Sequence, residues 1–526
     1  MPLSFLRKII KTPRRYFFWM SFLGLAAGLS TIPVPGFQLF FCLGLSLFLY
    51  TSENPSFSKH PMRFMGAFAF GYFLMALHWV PCSLHVNWAH YFYLAPFALL
   101  GLPLFFGFYH SVGIWFIPWY RRFGFLRIFL FALMWVLVEV VRAEFLTGFP
   151  WASLGVMWTT FLPIAQLTFL MGPYFLSGVT IFWLATPYVL MSDLYAKQEK
   201  ILYASVVILS LCGAFFYGSH RIDHAPRVST ESYCLRLVQP NIAQGLRWSE
   251  TRMKEALESF VVLSTRESTH LPQAVLWPEF DFPLSLQRYP WMADYIKRAA
   301  PPQGLLIANG FRYERLNDRQ FAAHNSMMLY NDEGETVDFY DKHRLLPFGE
   351  YIPFRHFIDG IFPGQIHKMS GGMGDFAPGV GPQVLCPKGL PCFLPMICHE
   401  SIFSGKFPAN QAKWILNVSN DGWFLHSLEP YQHLEMARMR AIEMGLPLVR
   451  VANTGISAVI DPLGRIILEL PYGEAQAIDF YLPEPLKEQT LYAKISQFDI
   501  YAWLYRLIGS LMLLRLLLRA RRAFKK

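Results

Sequence analysis

Residues 394–403 read LPMICHESIF. The apolar run LPMI stops at Cys398, and His399 and Glu400 follow at once. A short apolar run bounded by polar residues marks a buried strand, so this stretch predicts a strand that ends on a thiol. Two roles are open to that thiol. A buried cysteine commonly packs as a small, inert hydrophobe. A cysteine at the carboxyl end of a strand, beside a turn, can instead be a nucleophile.

The surrounding sequence repeats the pattern. CLRLVQ (234–239), AVLWPE (274–279), LLIANG (305–310), SMMLY (326–330), WILNVSND (414–421), LVRVAN (448–453) and SAVIDP (457–462) are further apolar runs with polar ends. Between them, 249–265 and 429–445 carry apolar residues at three- and four-residue intervals, the spacing of amphipathic helices. Strands interleaved with helices predict a layered α/β domain over 222–492.

Three of the predicted strand ends carry reactive groups: Glu279 after AVLWP, Lys342 and Glu350 in VDFYDKHRLLPFGEYIP, and Cys398. A thiol with an ordinary pKa near 8.5 is mostly protonated at neutral pH, so a nucleophilic cysteine needs a base or a neighbouring cation. A carboxylate can take the proton. An ammonium can hold the thiolate and the oxyanion formed when it attacks a carbonyl. Glu, Lys and Cys are thus a sufficient set for acyl transfer, although each alone has a plainer reading: Glu279 as a cap, Lys342 as a solvated charge, Cys398 as core. Cys386 and Cys392 leave a disulfide open, and the cysteine spacing matches no metal signature.

Composition describes the rest of the chain. Of 526 residues, 54% are hydrophobic and 16% charged, against about 25% charged in soluble domains. The net charge of +10 is concentrated at the two ends, RKIIKTPRR and RLLLRARRAFKK, each beside an apolar segment. That arrangement favours a membrane surface over nucleic acid. Gly405-Lys406 is followed by Phe407 and lacks the Ser/Thr of a phosphate-binding loop, so no nucleotide is expected. Apolar stretches near 16–34, 36–51, 62–80, 92–118, 125–142, 164–191, 200–218 and 498–518 predict eight transmembrane helices. The predicted organisation is a seven-helix membrane domain (1–221), the α/β domain (222–492), and a last helix with a basic tail (493–526). Lys59/Arg63, Arg121/Arg122 and Lys197/Lys200 fall in alternate loops, which puts them and both termini in the cytoplasm and the α/β domain outside. The first segment is read as a span and not as a cleaved signal, because the apolar run resumes at once.

VQPNIAQGLRW (238–248), WPE (277–279), HNS (324–326), PFGEYIP (347–353), CHE (398–400), NVSNDGWF (417–424), HLEMARMRAIE (433–443) and NTGIS (453–457), with TGFPW (147–151) in the membrane region, resemble the nitrilase, or carbon–nitrogen hydrolase, superfamily. Within it the chain is similar to the membrane-embedded apolipoprotein N-acyltransferase family, essentially end to end. The resemblance implies an α-β-β-α sandwich with Glu279 as general base, Lys342 as oxyanion stabiliser and Cys398 as nucleophile. It places Glu350, Glu400, His399 and Asn325 in support, and Trp248, Phe149 and Trp423 at the substrate entrance. Two positions depart from the family pattern: His399, where Tyr is common, and Arg344, where His is common.

The implied activity is acyl transfer from a phospholipid, through a cysteine thioester, to the N-terminal amine of a diacylglyceryl-modified apolipoprotein. No cofactor or metal is implied. The location would be the bacterial inner membrane with the catalytic domain periplasmic. The loop 362–374, FPGQIHKMSGGMG, is either a cover over the site that touches lipid or an ordinary surface loop. The competing reading is a membrane-tethered amidase that uses water as acceptor.

Overall fold

The computed structural model describes residues 13–496 apart from 55–56, 58, 116–125, 225–232, 245–247, 318–319, 362–367, 369–373, 406 and 409–410, together with Ser510. The chain divides into two compact units: 1–81, 93–223 and 490–526 form one, 82–92 and 224–489 the other.

The first unit is helical. Its helices include Pro13–Gly28, Gln38–Thr51, Pro61–Ala76, Ala95–Trp115, Leu126–Glu144, Thr168–Leu184 and Lys197–Asp223. Among the described residues three segments, Phe92–Ile114, Thr168–Met191 and Lys197–Asp223, are long and apolar enough to cross a membrane, and a fourth is obtained if the bent pair Pro61–Ala76 and Val80–Asn87 is one span. Gln38–Thr51 is apolar but shorter. The last expected span, 498–518, lies outside the described residues except for Ser510.

Helix Leu126–Glu144 carries a buried pair that composition alone did not single out. Arg142 donates to the carbonyls of Phe149 and Trp151, each at 2.6 Å, and Glu139 accepts from the Leu154 N–H at 2.9 Å and the Trp135 indole at 3.1 Å. The TGFPW turn, with Gly148 at φ +74°, exposes backbone groups inside an apolar helical unit. Such groups need partners, and this pair supplies several of them.

The second unit is built on two sheets. One has the order β11-β1-β2-β3-β4-β5, the other β10-β9-β8-β7-β6. The strands are β1 Cys234–Gln239, β2 Ala274–Leu276, β3 Leu305–Asn317, β4 Gln320–Tyr330, β5 Thr336–Asp341, β6 Phe393–Ile397, β7 Trp414–Ser419, β8 Leu448–Ala452, β9 Ser457–Ile460, β10 Ile466–Leu470 and β11 Gln476–Tyr481. β1, β2 and β3 pair in parallel, as do β6, β7 and β8; antiparallel strands flank each trio.

Side-chain alternation explains why the sheets stack. Leu235 and Leu237 of β1, Ala274 and Leu276 of β2, and Ile307 of β3 join a core shared with Phe393, Ile397, Leu416, Val449 and Val451 of the other sheet. The alternate residues Val238, Val275, Leu306 and Ala308 pack on the opposite face with Leu257, Phe260 and Val261 of helix Glu250–Ser264. Both faces of the parallel strands are therefore apolar, which is why they read as unbroken hydrophobic runs. Helix Glu429–Met444 packs on β8 of the second sheet. The layers run α-β-β-α, as the resemblance implied.

Candidate active site

Three strand ends deliver three groups to one place within the second unit. Glu279 follows β2 by three residues, Lys342 follows β5 directly, and Cys398 follows β6 directly. The Lys342 ammonium is 2% exposed and lies 3.0 Å from Glu350 Oε1 and 3.6 Å from Glu279 Oε1. Asn325, on β4, donates from Nδ2 to both carboxylates, at 2.9 Å to Glu279 and 2.7 Å to Glu350. Asn309, on β3, orients Asn325 by donating to its Oδ1 at 2.6 Å. The second oxygen of Glu350 accepts the Leu346 N–H at 2.7 Å. A buried cation thus has two carboxylates whose own positions are fixed, the condition under which a buried ion pair is tolerated.

The electrostatics divide the roles. Burial works against charge on Lys342, but Glu350, Glu279 and Cys398 outweigh it and raise its pKa, so the ammonium stays protonated. Burial lifts the Glu279 carboxyl above its ordinary value; Lys342 opposes this, Glu350 adds to it, and the Cys398 thiol is one of its hydrogen-bond partners. Burial and then Glu279 hold the Cys398 thiol well above its ordinary pKa, with Lys342 only partly offsetting them. The resting state is a protonated thiol beside a carboxylate made more basic than usual.

Cys398 has φ +52° and opens a short 3₁₀ turn, Cys398–Ile402. A non-glycine residue in this region costs roughly 1–3 kcal/mol and persists only where its surroundings impose it. Glu400 is one such constraint. Its carboxylate accepts the N–H groups of Ile397 (2.8 Å), His343 (3.0 Å) and Arg344 (3.1 Å) and the Tyr340 hydroxyl (3.0 Å). One side chain therefore ties the Cys398 turn to the loop that carries Lys342. Burial disfavours its charge, but His343 and the Ile397 N–H prevail, so its pKa is lowered.

His399 is buried and packs edge-on to Phe403 at 5.8 Å. Burial first, then Lys342 and His433, hold it well below the ordinary histidine range. Its imidazole is therefore neutral. The departing Arg344 stacks its guanidinium on Phe403 at 4.2 Å. Trp248 packs on Phe282, with ring centroids 5.1 Å apart. Trp423 is half-buried in the turn Asp421–Phe424. Phe149 lies in the other unit, stacked between Phe106 and Trp151. Of the loop 362–374, only Lys368 and Gly374 are described.

Sequence reasoning missed several residues here. Asp281, two past Glu279, is pushed up to about 7 by burial and by Glu279. Asp421, Glu429 and His433 bring ligand-type atoms within 4.8 Å of one another in a buried cluster. The Arg450 guanidinium already stands among them, 2.7 Å from Asp421 Oδ2 and 3.1 Å from His433 Nδ1, and supplies the positive charge that a metal ion would bring. The signal for this cluster was present: Asn417 and Arg450 interrupt otherwise apolar strands.

A disulfide joins Cys386 to Cys392. It closes the loop that leads into β6, where Leu385 and Phe393 exchange backbone hydrogen bonds at 2.9 and 2.8 Å. Cys398 is free.

Known proteins match this chain in both parts. The Carbon-nitrogen hydrolase family matches residues 235–505, and the Apolipoprotein N-acyltransferase N-terminal domain matches 23–186. The Apolipoprotein N-acyltransferase of Rhodopseudomonas palustris is 34% identical over 458 residues, spanning 85% of this chain and 84% of that protein. That of Bradyrhizobium diazoefficiens is 33% identical over 82% of this chain and 81% of its own length. That of Rickettsia typhi is 30% identical over 93% and 96%. Strand-end chemistry, fold and sequence agree, and the chain belongs to the apolipoprotein N-acyltransferase family.

Proposed function

We propose that this protein moves an acyl chain from a phospholipid to the α-amine of the diacylglyceryl-cysteine at the N-terminus of an apolipoprotein. The observation that carries the reading is the Lys342 ammonium held beside Glu279 and Glu350 where the Cys398 turn begins. In the first half-reaction, Glu279 takes the thiol proton as sulfur attacks the ester carbonyl. Lys342 and the His399 N–H hold the oxyanion. The oxyanion collapses, the lysophospholipid alkoxide leaves with the proton carried by Glu279, and a thioester remains on Cys398. In the second, Glu279 takes a proton from the attacking amine, the amide forms and the thiolate is released and reprotonated. A thioester is reactive enough toward an amine that no nucleotide is needed.

Both substrates are lipids, which gives the helical unit its purpose. Eight spans with the catalytic domain on the periplasmic side of the bacterial inner membrane, and both termini in the cytoplasm, fit the distribution of Lys and Arg. The Cys386–Cys392 disulfide supports the same side, since such bonds persist in oxidising compartments. Glu350 and Asn325 hold the charged pair, and within the second unit Trp248 and Trp423 line the substrate's path.

The test is to incubate the purified protein with phospholipid and no acceptor. The enzyme should gain one acyl chain on Cys398, in a hydroxylamine-sensitive bond. A diacylated lipopeptide with a free amine should discharge it, and an N-blocked one should not. Release of ammonia or free acid instead would identify an amidase.

A further inference from the structure

Beneath the nucleophile turn lies a polar network that the reaction above does not use. The carbonyl oxygen of Cys398 accepts two side-chain hydrogen bonds, from Ser401 Oγ at 3.2 Å and from Asn417 Nδ2 at 3.2 Å. Each donor is itself held from behind. Ser401 Oγ lies 3.1 Å from His433 Nε2, and Asn417 Oδ1 accepts from Arg450 at 2.5 Å. His433 and Arg450 meet at the same carboxylate: Asp421 Oδ1 is 3.1 Å from His433 Nδ1, and Arg450 reaches its two oxygens at 2.9 and 2.7 Å. Glu429 Oε1 is 3.3 Å from the same imidazole nitrogen. Ser401, Asn417, Asp421, His433 and Arg450 are all at most 1% exposed.

The directions of these bonds are constrained. The Ser401 hydroxyl has one hydrogen, and giving it to the Cys398 carbonyl leaves Oγ as the acceptor for His433 Nε2–H. His433 Nδ1 lies beside both carboxylates and 3.1 Å from an Arg450 nitrogen; burial and Arg450 disfavour charge on the imidazole, but Asp421 and Glu429 prevail and raise its pKa above the ordinary histidine value. Two buried basic side chains, His433 and Arg450, thus each reach the Cys398 carbonyl through one neutral intermediary.

That carbonyl belongs to the same planar, trans peptide unit as the His399 N–H, so the two point in opposite directions. Two donors fixing the oxygen fix the N–H as well, and drawing electron density toward the oxygen makes the N–H a stronger donor. We propose that Ser401 and Asn417, backed by His433 and Arg450 and tied together by Asp421, are positioning residues that aim and polarise the His399 N–H at the acyl oxyanion. The same two bonds hold Cys398 in its positive-φ conformation. Gly455 belongs to this frame: a Cβ there would lie 2.1 Å from Asp421 Oδ2, so any side chain would displace the carboxylate.

The proposal rests on the acyl-enzyme reading, and its test separates the two. Ser401→Ala removes one hydroxyl and leaves the thiol, Glu279 and Lys342 untouched. Two reactions of Cys398 are compared by mass spectrometry of its peptide: thioester formation from phospholipid, which passes through an oxyanion, and alkylation by iodoacetamide, which does not. Thioester formation should slow by roughly tenfold, less than the loss of a whole oxyanion donor, with alkylation unchanged. His433→Gln keeps a donor toward Ser401 without the basic imidazole and should show a smaller loss of the same kind; it carries the test if Ser401→Ala does not fold. Equal slowing of both reactions would mean that the turn has merely loosened, and wild-type acylation in Ser401→Ala would remove the network from catalysis. Absence of a thioester on the wild-type protein would instead overturn the acyl-transfer reading itself.

Discussion

Lys342 shows how much one side chain is asked to do. It balances two carboxylates at rest and, on the proposed mechanism, one oxyanion in each half-reaction. A guanidinium would keep the charge, but its planar fork does not occupy the compact site between Glu279 and Glu350. Lys342→Arg should give a folded, membrane-inserted protein whose thioester formation falls by roughly 10²–10³, measured as acyl-enzyme in a single turnover. Near-normal acylation would remove Lys342 from the mechanism. Glu279 makes a second prediction. Its pKa lies above the ordinary carboxylate range because burial and Glu350 outweigh Lys342. It is protonated at low pH and becomes a base as pH rises, so single-turnover acylation should climb along a limb displaced upward from that range. Glu279→Gln should abolish the limb and lower the rate by about 10²–10⁴. A limb that survives in Glu279→Gln belongs to another group.

At the scale of elements, the question is what keeps the end of β6 in register with the end of β5. Glu400 is the link, since its carboxylate serves backbone groups on both loops. Glu400→Gln preserves shape but replaces one acceptor oxygen with a donor that faces N–H groups. The loss should be about 1.5–3 kcal/mol, the range for a hydrogen bond to a charged group, seen as a lower Tm together with lost turnover. Its pH dependence has a definite sign. The folded-state pKa is below the ordinary value, so its contribution is complete above the unfolded pKa of about 4.3 and is lost as pH falls through the folded one. Glu400→Gln should therefore flatten the acid limb of stability against pH. An unchanged acid limb would show that another carboxylate controls it.

On the proposed function the whole molecule presents a lipid-handling thiol on one side of a membrane, and its cysteines can report which side. β6 separates Cys392 from Cys398 by six residues of mostly extended chain, roughly 20 Å at about 3.3 Å per residue. Pairing of Cys386 with Cys392 therefore leaves the nucleophile free. Membrane-impermeant thiol reagents applied to intact spheroplasts should label Cys386 and Cys392 only after reduction, and reporters fused at Lys59 or Lys197 should read cytoplasm. Labelling of those two cysteines without reduction would contradict the disulfide, and labelling only after permeabilisation would contradict the periplasmic placement.

Much of this architecture was legible in the chain. FLPMI, WILNVS and LVRVA read as strands because parallel strands covered on both faces are apolar at every position but a few. Glu279, Lys342 and Cys398 stood out because reactive groups at strand ends are chemically conspicuous and fall within motifs. The exceptions inside those strands, Asn417 and Arg450, were visible but uninterpretable. Local pattern determines which way a side chain points, and it carries no information about what stands opposite. Helical periodicity put His433 on a helix but could not bring it to Ser401, 32 residues earlier, nor could WPEFD reveal that Asp281 would be buried beside Glu279. The sequence by itself determined the sheet-building runs, the apolar helices and the identity of the reactive groups, because periodicity and residue chemistry are local properties. Only the tertiary structure decided that Cys386 pairs with Cys392, that Glu400 joins two loops, and that the networks behind His433 and Arg450 converge on one carbonyl. Those are distances between residues far apart in the chain, and only packing sets them.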